Sequence, residues 1–304
     1  MNNYNNKTSN GMKKIVTHSG NFHTDEVFAC AVLSLLHKGA VEIVRSRDGD
    51  VWATGDYVVD VGGEYNIPSG RFDHHQIGGA GVRDNGVPYS SFGLVWKEYG
   101  ENLAGSVYAM TVIDRMVVQP VDAGDNGFET FGVRGEVSPF ILQDVVSSFR
   151  PVWNEERTED EGFFEAYNVA KRILEREIVR AQSEEEGKRH VEEAYIAAKD
   201  KRIIVLEDHY PWYEALGTKL EPLFVVKPDR GEGGKWKIEA VRSDIHSFKN
   251  RKDLPTSWAG KTGAELAEVS GVSDALFCHT KLFIAVAGSK EGAIKLAQVA
   301  VDAQ

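Results

Sequence analysis

Histidines and acidic residues occur at four separate points in the first half of the sequence, each where an apolar run ends. The stretch THSGNFHTDE holds His18, His23 and Asp25, between a predicted strand and a predicted helix. Side chains in such a turn can face one point, and two imidazoles with a carboxylate suit Mn, Fe, Zn or Co better than Ca or Mg. The alternative is that Asp25 only stabilises the helix N-terminus and that the histidines are incidental.

Two further points follow predicted strands. Asp60 lies in YVVDVGG, where a carboxylate at the end of a buried strand needs a partner or a metal, unless it caps the following turn. The stretch RFDHHQ contains Asp73, His74 and His75. Because successive side chains of a strand point to opposite faces, one histidine can bind a metal while the other faces a substrate. Taken alone, this stretch is equally compatible with an ordinary turn.

The fourth point is PVDAGDNG, a predicted loop in which Asp122 and Asp125 are alternative ligands and Asp114 is a weaker competitor. A plain acidic turn is the competing interpretation. The four points together are difficult to ascribe to independent accidents. Their nitrogen and oxygen donors suffice for two metal ions, the arrangement that activates water and stabilises an in-line phosphoryl displacement.

The elements that must position these residues alternate between short β-rich runs and helical runs from residue 13. This pattern predicts a parallel sheet covered by helices, with ligands at the carboxyl ends of its strands. The predicted strands of the first half are KKIVTH, VEIVRS, YVVDV and RFDH. A charged stretch with helical spacing follows, in which Gly187 is a candidate break.

The length of 304 residues favours two domains over one. We expect an α/β protein with a catalytic domain over 13–158, a connecting helix over 159–200 and a smaller α+β domain over 201–304. The predicted strands of the last domain are RIIVLED, PLFVVKP, WKIEAVRS, ALFCH and LFIAVAG.

The composition narrows the function and the location. A formal net charge of −11 argues against a protein that coats nucleic acid, because that affinity comes mainly from Lys and Arg. Cys30 and Cys278 lie in apolar runs, which predicts buried thiols and a reducing compartment. The polar first ten residues lack the apolar core of a secretory signal, and no apolar run approaches the length of a membrane span. We therefore expect a cytoplasmic protein without membrane contact.

The order of the motifs resembles the DHH phosphoesterase superfamily, and its details look like the MYG-type (melanocyte proliferating gene) branch. The resemblance covers residues 15–300 and rests on SGNFHTDE, VVDVGG, RFDHHQ, PYSSFGLVWKEYG, VDAGDNG, FRPVWNE, SFKNRKDLPTSWAG and FCHTKLFIAVAGSKEGAI. Members of the superfamily include exonucleases, oligoribonucleases, cyclic-dinucleotide phosphodiesterases and manganese pyrophosphatases. The resemblance implies a DHH-type parallel-sheet catalytic domain.

Carried over to this sequence, the resemblance implies two bound divalent metal ions, Mn²⁺ or else Mg²⁺. The implied ligands are His18, His23, Asp25, Asp60, His74 and Asp122, with Asp60 bridging the two ions. His75 is expected to face the scissile phosphate, and Asp73 to orient a histidine from behind. The second domain of such enzymes closes over the first, and the candidates for binding the substrate are Arg83, Arg242, Arg251 and His279.

The leading hypothesis from the sequence is a metal-dependent phosphodiesterase, a 3′–5′ exonuclease acting on RNA or short oligonucleotides. One alternative is a hydrolase of a small phosphate compound such as pyrophosphate, a cyclic dinucleotide or a phosphorylated nucleotide. Another is a protein that binds metal and nucleotide without turnover. Assembly as a homodimer is an open expectation.

Overall fold

The computed structural model describes residues 11–130, 132, 135–231, 233–244 and 249–303. The chain forms two compact units, and the boundary between them falls between Gln182 and Ser183. That boundary lies inside the helix that the sequence predicts as a connector.

The first unit is built on one twisted sheet. Its strands are β1 (Lys13–Thr17), β2 (Val41–Arg45), β3 (Tyr57–Val59), β4 (Tyr65–Asn66) and β5 (Arg71–Phe72). The order is β2–β1–β3–β5–β4, and the pairings are parallel except that β4 runs antiparallel to β5. The predicted parallel α/β sheet is thus confirmed. Strand β4 was missed because two residues carry no alternating pattern.

Helices cover this sheet, and the central one is almost wholly buried. They are α1 (Thr24–Leu36), α2 (Gly49–Trp52), α3 (Ser91–Ala104), α4 (Val107–Ile113), α5 (Gln119–Asp125) and α6 (Leu142–Ser147). Helix α1 is buried from Thr24 to Ser34, as its nearly all-apolar sequence requires, and it packs against α3. Phe28 of α1 contacts the ring of Phe92, which in turn contacts Trp96. This core fixes the N-terminus of α1 beside the ends of the strands.

Helix α7 (Glu159–Ala197) is long and unbroken. Gly187 does not interrupt it, and a side chain at this position would collide with the ring of Pro211. The glycine is therefore required by close packing and not by a turn.

The second unit contains a mixed sheet with helices packed against it. Its strands are β6 (Ile203–Val205), β7 (Phe224–Pro228), β8 (Trp236–Ala240), β9 (Ala275–Cys278) and β10 (Ile284–Ala287), in the order β6–β7–β8–β10–β9. Only the β6–β7 pair among these is parallel. The helices are α8 (Trp212–Gly217), α9 (Gly263–Ser270) and α10 (Lys290–Asp302). Within the described ranges, no helix has both the length and the apolar character that crossing a membrane requires.

Candidate metal centre

The carboxyl ends of three neighbouring parallel strands bring the candidate ligands together. His18 follows β1, Asp60 follows β3, and Asp73 with His74 follows β5. Because β1, β3 and β5 are adjacent and parallel, their ends lie along one edge of the sheet, where α/β folds bind ligands. The N-terminus of α1 adds His23 and Asp25 at the same edge.

Asp60 lies at the centre of this cluster. Its Oδ2 atom is 3.3 Å from His18 Nε2, and its Oδ1 atom is 3.3 Å from His74 Nε2. Ser91 donates a hydrogen bond of 3.0 Å to Oδ1. Asp60 is buried and has a left-handed backbone with φ of 57°, a conformation that residues other than glycine rarely adopt. Such a backbone, kept at a buried carboxylate, is typical of a functional site.

The first group of donors surrounds His18 and includes a residue that the sequence did not nominate. Ligand atoms of His18, His23, Glu26 and Asp60 lie within 4.8 Å of one another. Glu26 Oε1 is 3.2 Å from His18 Nε2. Both Glu26 oxygens also accept from the backbone N–H of His23, at 2.8 and 2.9 Å, which satisfies a free donor at the start of α1. The spacing of three residues between His23 and Glu26 predicts a helix cap, but it does not indicate that Glu26 could bind a metal.

The second group surrounds His74. Its Nε2 atom lies 3.2 Å from Asp125 Oδ2 and 3.9 Å from Asp25 Oδ2, in addition to its contact with Asp60. Asp125 is the last residue of helix α5. The ligand atoms of His23, Asp25 and Asp125 lie within 4.8 Å of one another, close enough to bind one ion. The described geometry therefore places Asp125, and not Asp122, against the histidine.

Asp122 has a different environment from the one that the family resemblance implies. It is buried, and its Oδ1 atom accepts hydrogen bonds from Ser90 Oγ at 2.5 Å and from the backbone N–H of Gly93 at 2.9 Å. Its Oδ2 atom lies 2.6 Å from Arg83 Nη1. The predicted loop is in fact helix α5, so Asp122 lies one turn before Asp125 and faces the start of α3.

Arg83 is already paired with two carboxylates. Its side chain is 8 % exposed, donates to Asp114 at 2.9 Å and pairs with Asp122. Its guanidinium group also lies over the ring of Tyr89. Two carboxylates already neutralise this arginine, so the expectation that it binds phosphate is not supported by its position.

Asp73 holds the turn that carries both adjacent histidines. Its Oδ1 atom accepts from the backbone N–H of His74 at 2.7 Å and lies 2.8 Å from His75 Nδ1. Its Oδ2 atom accepts from the backbone N–H of Gly63 at 2.6 Å. The His75 side chain is 62 % exposed, whereas that of His74 is 8 % exposed. The two histidines thus differ in access: His74 points into the cluster and His75 toward solvent.

Crowded charges shift the ionisation of the cluster. Burial, together with the negative charges of Asp60 and Asp125, raises the pKa of Asp25 well above its usual range. Burial alone would lower the histidine pKa values, but bonds to neighbouring carboxylates outweigh it and raise the pKa of His18 to about 9 and that of His74 to about 10. Burial would raise the pKa of Asp60, yet the neighbouring imidazoles of His18 and His74 hold it below its usual range.

The donor set fits divalent cations. Asp25 Oδ1 and His74 Nε2 are buried and, in the part of the chain that the structure describes, have no hydrogen-bond partner. Buried polar atoms without partners are rare in native proteins because they are energetically unfavourable. A cation would satisfy both atoms and offset the mutual repulsion of the carboxylates. Mixed imidazole and carboxylate ligands are compatible with Mn²⁺ and its first-row neighbours.

Stability of the metal-free protein is expected to fall at alkaline pH. The folded-state pKa values of His18 and His74 exceed the ordinary value of 6.5, so their protonated forms stabilise the fold fully below about pH 6.5. This contribution is lost as the pH rises through about 9 and 10. Thermal denaturation in a chelator should show the melting temperature of the wild type decreasing between pH 7 and pH 10. A His18→Gln, His74→Gln double variant should show a smaller decrease, and equal slopes would contradict the assignment.

Two open cavities border the cluster. One, of about 390 Å³, is lined by residues that include His18, Asp60, His75, Arg47 and Trp52. The second, of about 530 Å³, is lined by residues that include His23, His74, Asp125 and Arg150. His75 lines both, so a ligand in either cavity can contact its exposed ring.

Comparison with known proteins identifies the family. The family model MYG1_exonuc, described as Uncharacterised protein family (UPF0160), matches residues 14–301. The chain belongs to this family. The MYG1 protein C694.04c of Schizosaccharomyces pombe is 32% identical over 96% of this chain and 98% of its own length. The MYG1 exonucleases of Mus musculus and Homo sapiens are each 33% identical over 94% of this chain, and over 84% and 85% of their own lengths.

Membership in the MYG1 family confirms the branch that the motif order resembled. A search of solved structures matched the exonuclease RecJ bound to manganese, at 13% identity and a TM-score of 0.29, over 96% of this chain and 91% of that one. That likeness is too low to support an argument about the site.

The substrate candidates in the second unit of this MYG1-family chain have varied surroundings. Arg251 donates to the backbone carbonyls of Pro222 at 3.0 Å and Gly217 at 2.9 Å, and burial lowers its pKa. Arg251 thus joins loops of its own unit, contrary to the expectation that it binds phosphate. The Arg242 guanidinium group lies 5.3 Å from the ring centre of Tyr213.

His279, the remaining candidate, accepts a hydrogen bond at Nδ1 from the backbone N–H of Lys281, at 3.0 Å. Its ring lies 4.6 Å from that of Phe283. An accepting Nδ1 leaves the proton on Nε2, so this histidine can donate a hydrogen bond from its other nitrogen. Residues 245–248, between Arg242 and Arg251, lie outside the described residues.

Proposed function

We propose that this chain is a metal-dependent phosphodiesterase that removes nucleotides from RNA or short oligonucleotides in the 3′–5′ direction. The observation that carries the proposal is the buried cluster of histidines and carboxylates around Asp60, with its unpartnered atoms at Asp25 and His74. The exonuclease names of the mouse and human relatives support the reaction class. The substrate and its polarity are part of the proposal.

The proposed site holds two divalent cations, Mn²⁺ by preference. One set of ligands is His18, His23, Glu26 and Asp60, and the other is Asp25, Asp60, His74 and Asp125, with Asp60 shared. Bound cations in such a pair supply an activated water and stabilise the charge on the phosphoryl group. Asp125 replaces Asp122 in this set because Asp125 Oδ2 lies 3.2 Å from His74 Nε2, whereas Asp122 pairs with Arg83 and accepts hydrogen bonds from Ser90 and Gly93.

The chain's own groups then bind and orient the phosphodiester. Asp73 accepts a hydrogen bond from His75 Nδ1, so the proton is held on that nitrogen and Nε2 is left to contact the substrate. The exposed position of His75 between two cavities suits a residue that contacts the scissile phosphate. Asp73 acts through His75 and is a positioning residue in this scheme.

Incubation with a short 5′-labelled RNA tests this proposal. The wild type with Mn²⁺ is expected to release nucleoside 5′-monophosphates stepwise from the 3′ end, and a chelator should stop the release. His74→Ala should reduce the rate by at least about a hundredfold, because a charge-stabilising group is lost at the reacting centre. His209→Ala, which changes a histidine of the second unit, is the matched control and should retain the wild-type rate. Full activity of His74→Ala would refute the site.

A hydrolase of a small phosphate compound is the second candidate. The net charge of −11 favours a compact substrate over a long polyanion, and the cavities of about 390 and 530 Å³ have the size of small-ligand sites. Competition among pentameric RNA, a cyclic dinucleotide and pyrophosphate separates the candidates: the preferred substrate should have the highest kcat/KM. Stoichiometric binding of metal and RNA without turnover would favour the non-catalytic alternative. The cytoplasmic location and the homodimer stay predictions.

A further inference from the structure

One wall of the cavity of about 390 Å³ is formed by residues outside the proposed metal-ligand set. Besides His18, Asp60 and His75, the lining includes Arg47, Trp52, Gly62 and Gly63, and these four residues form the wall. The volume lies within the roughly 300–1,000 Å³ of small-ligand sites and far exceeds that of an ion with its waters. The cavity therefore has room for a ligand next to the cluster.

Arg47 brings an uncompensated positive charge to this wall. Its Nε atom donates to the backbone carbonyl of Ser19 at 3.0 Å, and its Nη2 atom lies 3.2 Å from His18 Nδ1. Within the described part of the chain no carboxylate pairs with it, whereas nearby Arg45 pairs with Asp160. A held guanidinium group without a carboxylate partner suits an anion, because its planar donors match two oxygens of a phosphate.

Trp52 supplies a fixed aromatic surface to the same wall. Its indole N–H donates to the backbone carbonyl of Ser46 at 3.0 Å, which restricts rotation of the half-buried ring. Gly62 has φ of 101°, and a Cβ atom there would lie 3.7 Å from Trp52 Cε3. A larger residue at Gly62 would be strained and would take space beside the ring. Aromatic rings in such positions stack on nucleobases irrespective of sequence.

We propose that this wall is the subsite for the terminal nucleotide of the strand, with Arg47 holding a phosphate and Trp52 stacking on the base. The inference rests on the proposed function for its substrate class, and it assigns a role to two residues outside the metal-ligand set. The ligand is a nucleoside monophosphate unit. Recognition of a charge and a π-face predicts tolerance of any base.

Binding measurements test the subsite without relying on turnover. Calorimetry of the Mn²⁺-loaded full chain uses three probes: AMP, inorganic phosphate and adenosine. The wild type should bind AMP most tightly. Arg47→Ala should weaken AMP and phosphate binding roughly tenfold or more while adenosine is unaffected. Trp52→Ala should weaken AMP and adenosine binding roughly five- to hundredfold while phosphate is unaffected, and Trp52→Phe should restore binding to within about threefold.

Two controls separate a ligand contact from a structural effect. Arg172→Ala removes an exposed arginine of α7 that pairs with Glu175 and should behave as the wild type. The affinity for Mn²⁺ alone should be unchanged in Arg47→Ala, which shows that His18 keeps its place. If the Mn²⁺ affinity falls as far as that for AMP, or if both wall variants bind AMP like the wild type, the subsite is refuted.

Kinetics distinguish failure of the subsite from failure of the proposed function. With pentameric RNA, Arg47→Ala and Trp52→Ala should raise KM by the same factors as the AMP dissociation constant, with kcat within about threefold of the wild type. An inactive wild type that binds AMP through both residues would overturn the exonuclease function and retain the subsite. If the wild type is active and both variants have the wild-type KM, the subsite is refuted and the exonuclease function is retained.

Discussion

Replacing Asp60 by asparagine is expected to lower kcat for manganese-dependent RNA cleavage by roughly a thousandfold, a loss of about 4 kcal/mol of transition-state stabilisation. Among the described residues, Asp60 is the one carboxylate that contacts both His18 and His74, so both proposed cation positions depend on its charge. Asparagine tolerates the left-handed backbone at this position better than most residues and keeps the size of the side chain. The change therefore removes charge with little strain.

The measurement combines steady-state kinetics with thermal denaturation. In a chelator, the melting temperature of Asp60→Asn should stay close to that of the wild type, since the lost bonds to the histidines are offset by less repulsion of Asp25. Mn²⁺ should raise the melting temperature of the wild type but not that of the variant. Asp84→Asn, at an exposed position, is the control. A variant that keeps the Mn²⁺-induced shift and the wild-type rate would contradict the central role of Asp60.

Asp122 and Asp125 are expected to respond to substitution in opposite ways. Asp122→Ala should lower the free energy of unfolding by about 3–5 kcal/mol, because it leaves the buried Arg83 without one of its two carboxylates and the Ser90 hydroxyl without its acceptor. Asp125→Asn should lower that free energy by much less, since the lost contact with His74 is offset by less repulsion of Asp25. The same Asn variant should weaken Mn²⁺ binding by at least roughly tenfold, because His74 loses its partner carboxylate.

Urea denaturation in a chelator measures the first effect, and Mn²⁺ titration measures the second. Each variant is the matched control of the other, because the two aspartates lie three residues apart on one helix. The folded fraction of Asp122→Ala should bind Mn²⁺ with wild-type affinity. The reverse pattern, a stable Asp122→Ala that fails to bind Mn²⁺, would restore Asp122 as the ligand that the family resemblance implies.

The sequence predicted the positions of the cluster well because strand ends are strongly marked. Apolar runs followed by His18, Asp60 and His74 locate three turns, and the parallel pairing of their strands brings those turns together. The sequence leaves Asp122 and Asp125 as alternatives because PVDAGDNG contains proline, glycine and asparagine, which are typical of a loop. In the fold, these residues continue a helix: Pro120 is the second residue of α5, which follows directly from the π-helical turn Asp114–Val118.

Contacts between residues far apart in sequence cannot be predicted from local sequence patterns. Arg83, Arg251 and Arg47 are indistinguishable by type, yet the first is neutralised by Asp114 and Asp122 and the second binds backbone carbonyls. Arg47 contacts His18 and lines the cavity beside the cluster. Glu26 was overlooked because its spacing from His23 matches a helix cap, and it serves that role as well. Tertiary packing, and not the local sequence pattern, decides which of several residues of the same type can bind a substrate or a metal.

Anomalous scattering from a crystal soaked with Mn²⁺ tests the central claim most directly. Two manganese peaks are predicted on either side of Asp60, one next to His18 and His23 and the other next to His74 and Asp125. Asp122 should remain bound to Arg83 and Ser90, away from both peaks. An absence of peaks at Asp60 at saturating Mn²⁺, or a peak coordinated by Asp122 in place of Asp125, would contradict the proposed metal centre.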